Sequence, residues 1–178
     1  MRYAAERIQS GDRVVDVGGS DGAFGKRLSD GVSYAIVDVD PAHDADFANL
    51  AEVGDASADV VTCFEMIEHV ALNEALDLVA GIARVLRTDG RLFLSTPNIH
   101  HPWSFRNSAT HLTPFPYDEL GGLLESHGLI VESLFRCHRD SFLKRVARFA
   151  TRPIYRLAGV DYAKSVLVVA RREQCREN

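Results

Sequence analysis

A glycine-rich turn near the N-terminus is the first segment of the chain whose residues could carry chemistry. Gly18, Gly19 and Gly22 follow an apolar run, and Ser20 stands among them. Glycines at such a turn let a ligand approach the backbone, where amide N–H groups are free at the start of the next helix. Asp38 follows Gly18 by 20 residues, where a carboxylate can accept hydrogen bonds from both hydroxyls of a ribose. The spacing therefore predicts a site for a nucleotide-type cofactor.

The glycine pattern also disfavours a nicotinamide cofactor. The dinucleotide fingerprint of nicotinamide enzymes is G-x-G-x-x-G, whereas this chain has Ser20 at the third position. A nicotinamide oxidoreductase is therefore disfavoured.

Two carboxylates and two imidazoles form a second group of candidates. Glu65, Glu68 and His69 follow another apolar run, and His111 comes much later in the chain. Carboxylate oxygens and imidazole nitrogens together suit a hard or borderline divalent ion. A histidine can also act as a general base near neutral pH, so the same residues could serve acid–base chemistry.

Strands and helices alternate along the chain, which predicts an α/β fold with a mostly parallel sheet. Only about 20 residues separate the second strand from Asp59, so one crossover helix is missing or reduced to a turn. Residues 97–116 are polar and rich in proline, which predicts a long functional loop. Predicted strands are 13–17, 34–37, 59–63, 91–95, 129–135 and 165–170, and predicted helices are 2–9, 23–28, 73–86, 117–127 and 141–157.

The bulk composition bounds the class of protein. A chain of 178 residues with 46% hydrophobic content fits one folded domain over 1–178. Its cofactor half is 1–98, and its substrate loop and C-terminal half are 99–178. No apolar run approaches the roughly 20 residues that span a membrane, and the N-terminus lacks the apolar stretch of a signal peptide. The 3 cysteines form no CxxC pattern, which favours a reducing compartment and a cytoplasmic protein.

The order of several segments resembles the class I S-adenosylmethionine-dependent methyltransferase superfamily, and within it the branch of ubiquinone-pathway O-methyltransferases. The likeness covers residues 2–98 well and 111–135 loosely. It implies a single Rossmann-like domain with a seven-stranded sheet and a basic helical insertion before the last strand. The matching segments are 14–22, which has Ser20 where the family usually has its middle glycine, 36–41 at the ribose-binding strand end, 60–70 ending in Glu-His, and 85–98.

The resemblance implies a set of contacts to S-adenosylmethionine. Asp16 orients the glycine-rich turn from below, and Gly18 and Gly22 lie alongside the methionine part of the cofactor. Asp38 accepts hydrogen bonds from the ribose hydroxyls. Val39 packs on the adenine face. The full set of implied cofactor residues is Asp16, Gly18, Gly19, Gly22, Asp38, Val39, Asp46 and Phe47 at the adenine edge and ring, and Phe64 and Glu65 on the methionine side. Plain core packing is the alternative for Val39, Phe47 and Phe64.

Methyl transfer to a hydroxyl needs a base and a dry site in which the nucleophile meets the methyl carbon. His69 and His111 are the candidate catalytic residues, and His100 and His101 lie on the same long loop as His111. His69 could instead be a structural histidine that fixes the end of its strand by hydrogen bonds.

The pattern E-x-x-E-H followed by a later His is similar to that of the small-RNA 2′-O-methyltransferases, which implies a divalent metal held by Glu65, Glu68, His69 and His111. However, Glu-His at this place is also frequent in relatives with no metal. We therefore allow a metal site but do not expect one.

The predicted function is O-methylation of a small-molecule, lipid or glycan-type acceptor. The alternative is a non-catalytic cofactor-binding or interaction module, since the chain starts almost at the first motif and lacks the N-terminal helices that often close over a substrate. An RNA 2′-O-methyltransferase is less favoured because no RNA-binding module is recognisable.

The charge is uneven, with a formal net charge of +7 over residues 136–178 and -12 over residues 1–135. Lys144, Arg148, Arg152 and Arg156 form one stripe of the predicted basic helix. The stripe predicts an anionic substrate or contact with a membrane surface, or else it is only a solvated helix face. Nucleic acid is not expected as a partner, and the oligomeric state stays open.

Overall fold

The computed structural model describes residues 1–138, 149–151, 153, 157, 159 and 161–174. Within them, six strands form one sheet in the order β2-β1-β3-β4-β6-β5. The first four strands run parallel, and β6 runs antiparallel to both of its neighbours. The strands are β1 Arg13–Val17, β2 Ser33–Val37, β3 Ala58–Phe64, β4 Leu86–Pro97, β5 Leu129–Cys137 and β6 Ser165–Arg172, and the helices are α1 Arg2–Ala5, α2 Leu72–Val85 and α3 Tyr117–Ser126.

The sheet is buried on both faces, as its continuous apolar strands predict. Val15 and Val17 of β1 point into the core shared with α2 and α3. Val14 points to the opposite face, where it packs with Ala4 and Phe24. This alternation follows from the two-residue period of a strand, and it buries β1 on both faces.

The prediction of seven strands is wrong for the described residues, which contain six. The segment between β2 and β3 is too short for another strand with its crossover helix. It holds a single parallel bridge between Val37 and Phe47 and a 3-10 turn at Leu50–Glu52. The predicted loss of one crossover helix is thereby confirmed, and the missing strand is its consequence.

Two predicted helices are shorter in the structure. The helix predicted at 23–28 is a 3-10 turn at Gly25–Arg27, because Gly22 and Gly25 disfavour a continuous α-helix. The N-terminal helix covers only Arg2–Ala5. Helices α2 and α3 are confirmed to within one residue at each end.

The predicted basic helix lies mostly outside the described residues. Lys144, Arg148, Arg152 and Arg156 are all outside them, so the basic stripe stays a prediction. Among the described residues, none of the helices combines the length and the apolar character needed to cross a membrane.

One edge of the sheet gathers the candidate residues. Strands β1 to β4 run parallel, so the segments that follow Val17, Val37, Phe64 and Pro97 meet at this edge. In open α/β sheets, the carboxyl ends of the strands are where ligands bind.

Candidate cofactor and acceptor site

The turn after β1 depends on glycine for both conformation and space. Gly18 and Gly22 have φ of 71° and 68°, in the left-handed region that favours glycine. The Gly18 N–H donates to the Val37 carbonyl at 2.8 Å. A Cβ at Gly18 would lie 2.7 Å from Met66 Cγ, and one at Gly19 would lie 3.1 Å from Asp16 Oδ2. The turn is therefore packed against the end of β3.

Ser20 adopts the same unusual backbone conformation without being glycine. Its φ is 50°, which costs roughly 1 kcal/mol for a residue with a Cβ. The backbone N–H of Ser20 donates to Asp38 Oδ2 at 3.0 Å. The Ser20 Oγ lies 3.1 Å from His43 Nε2. The residue that departs from the glycine pattern is thus tied to the candidate ribose acceptor.

Asp16 lies beneath this turn, at the position that the sequence predicts. Its buried carboxylate accepts hydrogen bonds from Thr62 Oγ1 at 2.6 Å and from the Tyr34 hydroxyl at 2.5 Å. Burial raises the pKa of Asp16, against the two hydroxyl donors, which lower it. Because Thr62 is in β3 and Tyr34 is in β2, Asp16 joins the three strands whose ends form the site.

Asp38 follows β2 and is held by the loop around it. Its side chain is 11% exposed, and Oδ1 accepts the Asp40 N–H at 3.0 Å while Oδ2 accepts the Ser20 N–H. Burial opposes ionisation of Asp38, but the Asp40 N–H, the His43 ring and the Ser20 N–H outweigh it and lower the pKa. The carboxylate is therefore ionised and fixed in place at neutral pH, as a hydrogen-bond acceptor for a diol must be.

The three residues predicted for the adenine differ in their surroundings. The Val39 residue is 77% exposed beside Asp38, so an apolar ring could cover it. Asp46 accepts the Ile36 N–H at 2.8 Å, and Phe47 packs against the core and bridges to β2. Asp46 and Phe47 thus hold the chain at the sheet edge, and Val39 is free to meet a ligand.

Phe64 and Glu65 end β3 on the side predicted for the methionine. The Phe64 ring packs edge-on against Phe24, with 5.1 Å between centroids. Glu65 has φ of 52° and its carboxylate accepts hydrogen bonds from Ser95 Oγ at 2.8 Å and Ser165 Oγ at 3.2 Å. The Glu65 carboxylate is therefore held by hydrogen bonds from the ends of β4 and β6.

Glu68 is a buried carboxylate with one free oxygen. The residue is 0% exposed, and Oε2 accepts a hydrogen bond from Thr96 Oγ1 at 3.1 Å. The other oxygen, Oε1, is buried and has no hydrogen-bond partner among the described residues. Burial, together with the charge of Glu65, raises the pKa of Glu68 to about 7. A buried carboxylate oxygen of this kind needs a proton or a cation.

His69 and His111 lie next to this oxygen, and backbone carbonyls fix their tautomers. Nδ1 of His69 lies 3.1 Å from the Thr110 carbonyl, and Nδ1 of His111 lies 2.7 Å from the Phe105 carbonyl. Since a carbonyl can only accept, each Nδ1 carries a proton, and in the neutral ring Nε2 keeps its lone pair. The ring centroids are 4.9 Å apart.

The long loop brings His111 to this place. The Leu112 N–H donates to the Glu68 carbonyl at 2.7 Å, and Thr113 Oγ1 donates to the Val70 carbonyl at 2.7 Å. Glu68, His69 and His111 can each offer one ligand atom within 4.8 Å of the others. We call these three residues the Glu-His-His cluster. Glu65, the fourth residue predicted for a metal, is not part of it.

The other histidines of the sequence analysis lie apart from the cluster. The His100 ring packs on Tyr117 at 5.1 Å between centroids, and His101 Nδ1 accepts the Trp103 N–H at 3.3 Å. His43 was not predicted as a site residue, yet it lies beside Ser20 and Asp38. The one sequence signal for it is the serine in a glycine position, because a hydroxyl there needs a partner.

Comparisons with known proteins bear on the family. Residues 1–134 match the family described as "Methyltransferase domain". The ubiquinone biosynthesis O-methyltransferase of Xanthomonas oryzae pv. oryzae is 30% identical, over 55% of this chain and 48% of that protein. The chain therefore spans about half the length of the curated relatives it matches.

Solved structures share the fold. A SAM dependent methyltransferase from Archaeoglobus fulgidus has a TM-score of 0.75 at 18% identity, covering 96% of this chain and 92% of that one. The 1,6-didemethyltoxoflavin-N1-methyltransferase of Burkholderia thailandensis, solved with 1,6-didemethyltoxoflavin and S-adenosylhomocysteine bound, has a TM-score of 0.67 at 18% identity, covering 97% of this chain and 76% of that one. The predicted α/β methyltransferase fold is thus confirmed, and the chain belongs to the methyltransferase domain family.

Proposed function

We propose that this protein transfers a methyl group from S-adenosylmethionine to a hydroxyl of a small-molecule, lipid or glycan-type acceptor. The observation that carries the proposal is the pair of imidazoles in the Glu-His-His cluster, each with Nδ1 held by a backbone carbonyl, so that Nε2 keeps its lone pair. Met66, which packs against Gly18, directly precedes the turn that bears Glu68 and His69. The segment proposed to bind the cofactor is therefore next to the segment proposed to bind the acceptor.

The residues after β1 and β2 would hold the cofactor. Asp38 offers a fixed, ionised carboxylate for the ribose hydroxyls, and exposed Val39 would pack on the adenine. Gly18 and Gly22 have no side chain, so the methionine part of the cofactor could approach their backbone closely. When bound, S-adenosylmethionine supplies a methyl group activated on a sulfonium, so the protein itself needs to supply only position, dryness and a base.

The Glu-His-His cluster would take the proton of the acceptor hydroxyl. An Nε2 lone pair on His69 or His111 can accept that proton, because Nδ1–H is already bound to a carbonyl. The imidazolium formed would be stabilised by Glu68, whose Oε1 lies 3.9 Å from His69 Nε2. This arrangement needs no movement of the loop to place the base.

Exposed apolar side chains on the long loop bear on the chemical class of the acceptor. Trp103 is 65% exposed and Leu112 is 62% exposed, and both lie on the loop that carries His111. Apolar groups left in water on a loop favour contact with an apolar ligand. We therefore expect an acceptor in which the hydroxyl is attached to an aromatic or aliphatic body.

The first expected result is that S-adenosylhomocysteine binds and raises the melting temperature, whereas NADH does not. A ligand that binds only the folded state at 100 times its Kd stabilises it by about 2.7 kcal/mol. Asp38→Ala should weaken binding roughly 100-fold, because it removes two charge-assisted hydrogen bonds to the ribose. Calorimetry on both proteins measures this, with exposed Asp44→Ala from the same loop as control.

Two results would oppose the assignment. Equal affinity in Asp38→Ala and in the unmodified protein would remove Asp38 from the site. Binding of S-adenosylhomocysteine without its formation from S-adenosylmethionine, across a panel of phenols, isoprenoid alcohols and sugars, would favour the non-catalytic module instead.

The Glu-His-His cluster also fits a divalent cation. Two imidazoles and a carboxylate are the donors that Zn²⁺ and Mn²⁺ accept, and the two Nδ1–H groups are held by carbonyls, as is usual for metal-bound histidines. Free Glu68 Oε1 is the oxygen that such an ion would satisfy. In this arrangement the ion would lower the pKa of a bound hydroxyl.

With a cation bound, both Nε2 atoms would be ligands and could not act as the base, so this alternative predicts that Zn²⁺ or Mn²⁺ binds at one site per chain and that a chelator lowers methyl transfer at least tenfold. Glu68→Gln should abolish cation binding, because a neutral amide replaces the charged carboxylate. The amide oxygen can still accept the hydrogen bond from the Thr96 hydroxyl, so the variant should keep its packing. Titration calorimetry with each metal chloride measures the binding. Full activity after exhaustive chelation would leave the cluster as a metal-free base.

A further inference from the structure

We propose that His43 is a ribose-binding residue and that Ser20 orients it. The inference rests on the proposed role of Asp38 in the cofactor site. The three side chains form a chain of close contacts, with Ser20 Oγ 3.1 Å from His43 Nε2 and His43 Nδ1 3.2 Å from Asp38 Oδ2. We call Ser20, His43 and Asp38 the ribose triad.

His43 holds a buried polar atom that the protein leaves unsatisfied. Its Nδ1 lies 3.2 Å from Asp38 Oδ2, at the distance of an ion pair, but the atom is buried and has no hydrogen-bond partner among the described residues. Buried ring nitrogens in native proteins are normally paired. An unpaired nitrogen beside the candidate ribose acceptor indicates that a ligand completes the contact.

Ser20 determines which ring nitrogen of His43 can donate. The Ser20 hydroxyl can give its proton to Nε2, and the neutral ring then carries its own proton on Nδ1. A glycine at this position would leave the ring free to adopt the other tautomer. Ser20 also has an unfavourable φ of 50°. Residues with strained backbone conformations cluster at functional sites.

A ribose hydroxyl matches this pair of groups. It is both a donor and an acceptor, so it can give its proton to Asp38 and accept one from His43 Nδ1. A hydroxyl oxygen about 2.8 Å from each group would lie to one side of the two atoms, which are 3.2 Å apart. Asp38 alone supplies acceptors only, whereas the ribose triad supplies an acceptor and a donor for the same hydroxyl.

Removal of His43 tests the contact. We expect His43→Ala to weaken S-adenosylhomocysteine about tenfold in calorimetry, and His43→Asn, whose amide can donate from nearly the same place, to recover most of that loss. His127→Ala, at the C-terminal end of α3, is the control and should bind as the unmodified protein does. Unchanged affinity in His43→Ala would overturn the inference and leave the cofactor assignment standing, because the unmodified protein would still bind.

Sugar analogues separate a ribose contact from a structural role. The unmodified protein should bind adenosine about tenfold more tightly than 2′-deoxyadenosine and than 3′-deoxyadenosine. In His43→Ala one of these two preferences should disappear, and it identifies the hydroxyl that His43 contacts. A structural histidine would weaken all three nucleosides equally, and that result would contradict the inference. Failure of every nucleoside to bind the unmodified protein would instead count against the proposed cofactor site.

Ser20→Gly gives an independent result. Glycine relieves the backbone strain, so the free protein should melt at a higher temperature. It also removes the hydroxyl that sets the tautomer, so S-adenosylhomocysteine should bind about threefold more weakly. Higher stability with unchanged affinity would overturn the role of Ser20, since strain alone would then explain the whole effect.

Discussion

Replacing His111 with alanine is expected to slow methyl transfer by roughly 100-fold or more, while the affinity for S-adenosylhomocysteine stays within about twofold. A positioned general base contributes on the order of 10²–10⁴ to the rate. The Nδ1 atom of His111 is tied to the Phe105 carbonyl, so its Nε2 is aimed before any acceptor arrives. The residues proposed to bind the cofactor lie on other segments, after β1 and β2, and do not include His111. Single-turnover rates and calorimetry on the same preparation measure both quantities.

A neighbouring histidine serves as the matched control. His100 is on the same loop and is exposed, and its ring packs on Tyr117 and not on His69. His100→Ala should therefore retain most of the activity. A fall in the rate of His111→Ala no larger than that of His100→Ala would show that His111 is not the base. Parallel thermal unfolding establishes whether the loop still folds in each variant.

The order of strands and helices could be predicted because each apolar run carries its own signal. Val14, Val15 and Val17 sit on both faces of an inner strand, so the sequence shows an apolar run broken only by Asp16. The residue patterns predict the six strands that the structure has, whereas the family resemblance implied a seventh. The short segment before Asp59 predicts a reduced crossover, and the structure adds the single bridge at Phe47.

The placement of the candidate cofactor residues next to strand ends could be predicted, and their hydrogen-bond partners could not. Asp16 and Asp38 each follow from the position of a strand. The partners of Glu65 come from far away along the chain, since Ser165 donates to it from β6. Sequence spacing placed Glu65 in a metal site with Glu68, whereas the packing of distant strands turned its carboxylate toward two serines.

The choice among the loop histidines also depended on long-range contacts. His100, His101 and His111 occupy one polar loop, and nothing local distinguishes them. The Leu112 N–H bond to the Glu68 carbonyl selects His111, because it places that part of the loop against the end of β3. A backbone hydrogen bond of this kind leaves no signature in residue type.

Gly18→Ala should be the most damaging small substitution in the cofactor half. The alanine must adopt the φ of 71°, which costs about 1–2 kcal/mol. Its Cβ would also lie 2.7 Å from Met66 Cγ and 3.1 Å from Met66 Cβ. Met66 Cβ is fixed to the backbone, and Cγ can move only if Met66 adopts another χ1 rotamer, so overpacking adds about 1–3 kcal/mol. We expect a total loss of about 2–5 kcal/mol in the free energy of unfolding, measured with urea, and a loss of S-adenosylhomocysteine binding.

Gly128 and Met66 together separate the two costs of Gly18→Ala. Gly128 has nearly the same φ, 74°, but a Cβ there would meet nothing within 4 Å, so Gly128→Ala should lose only the backbone part. In a Met66→Ala background the 2.7 Å contact with Cγ is removed and only the 3.1 Å approach to Cβ remains, so Gly18→Ala should cost less than in the unmodified protein and come close to the cost of Gly128→Ala. A double-mutant cycle measures that coupling directly. Equal costs of Gly18→Ala with and without Met66 would show that the turn after β1 and the end of β3 do not depend on their close contact, and the link between the cofactor side and the Glu-His-His cluster would lose its physical basis.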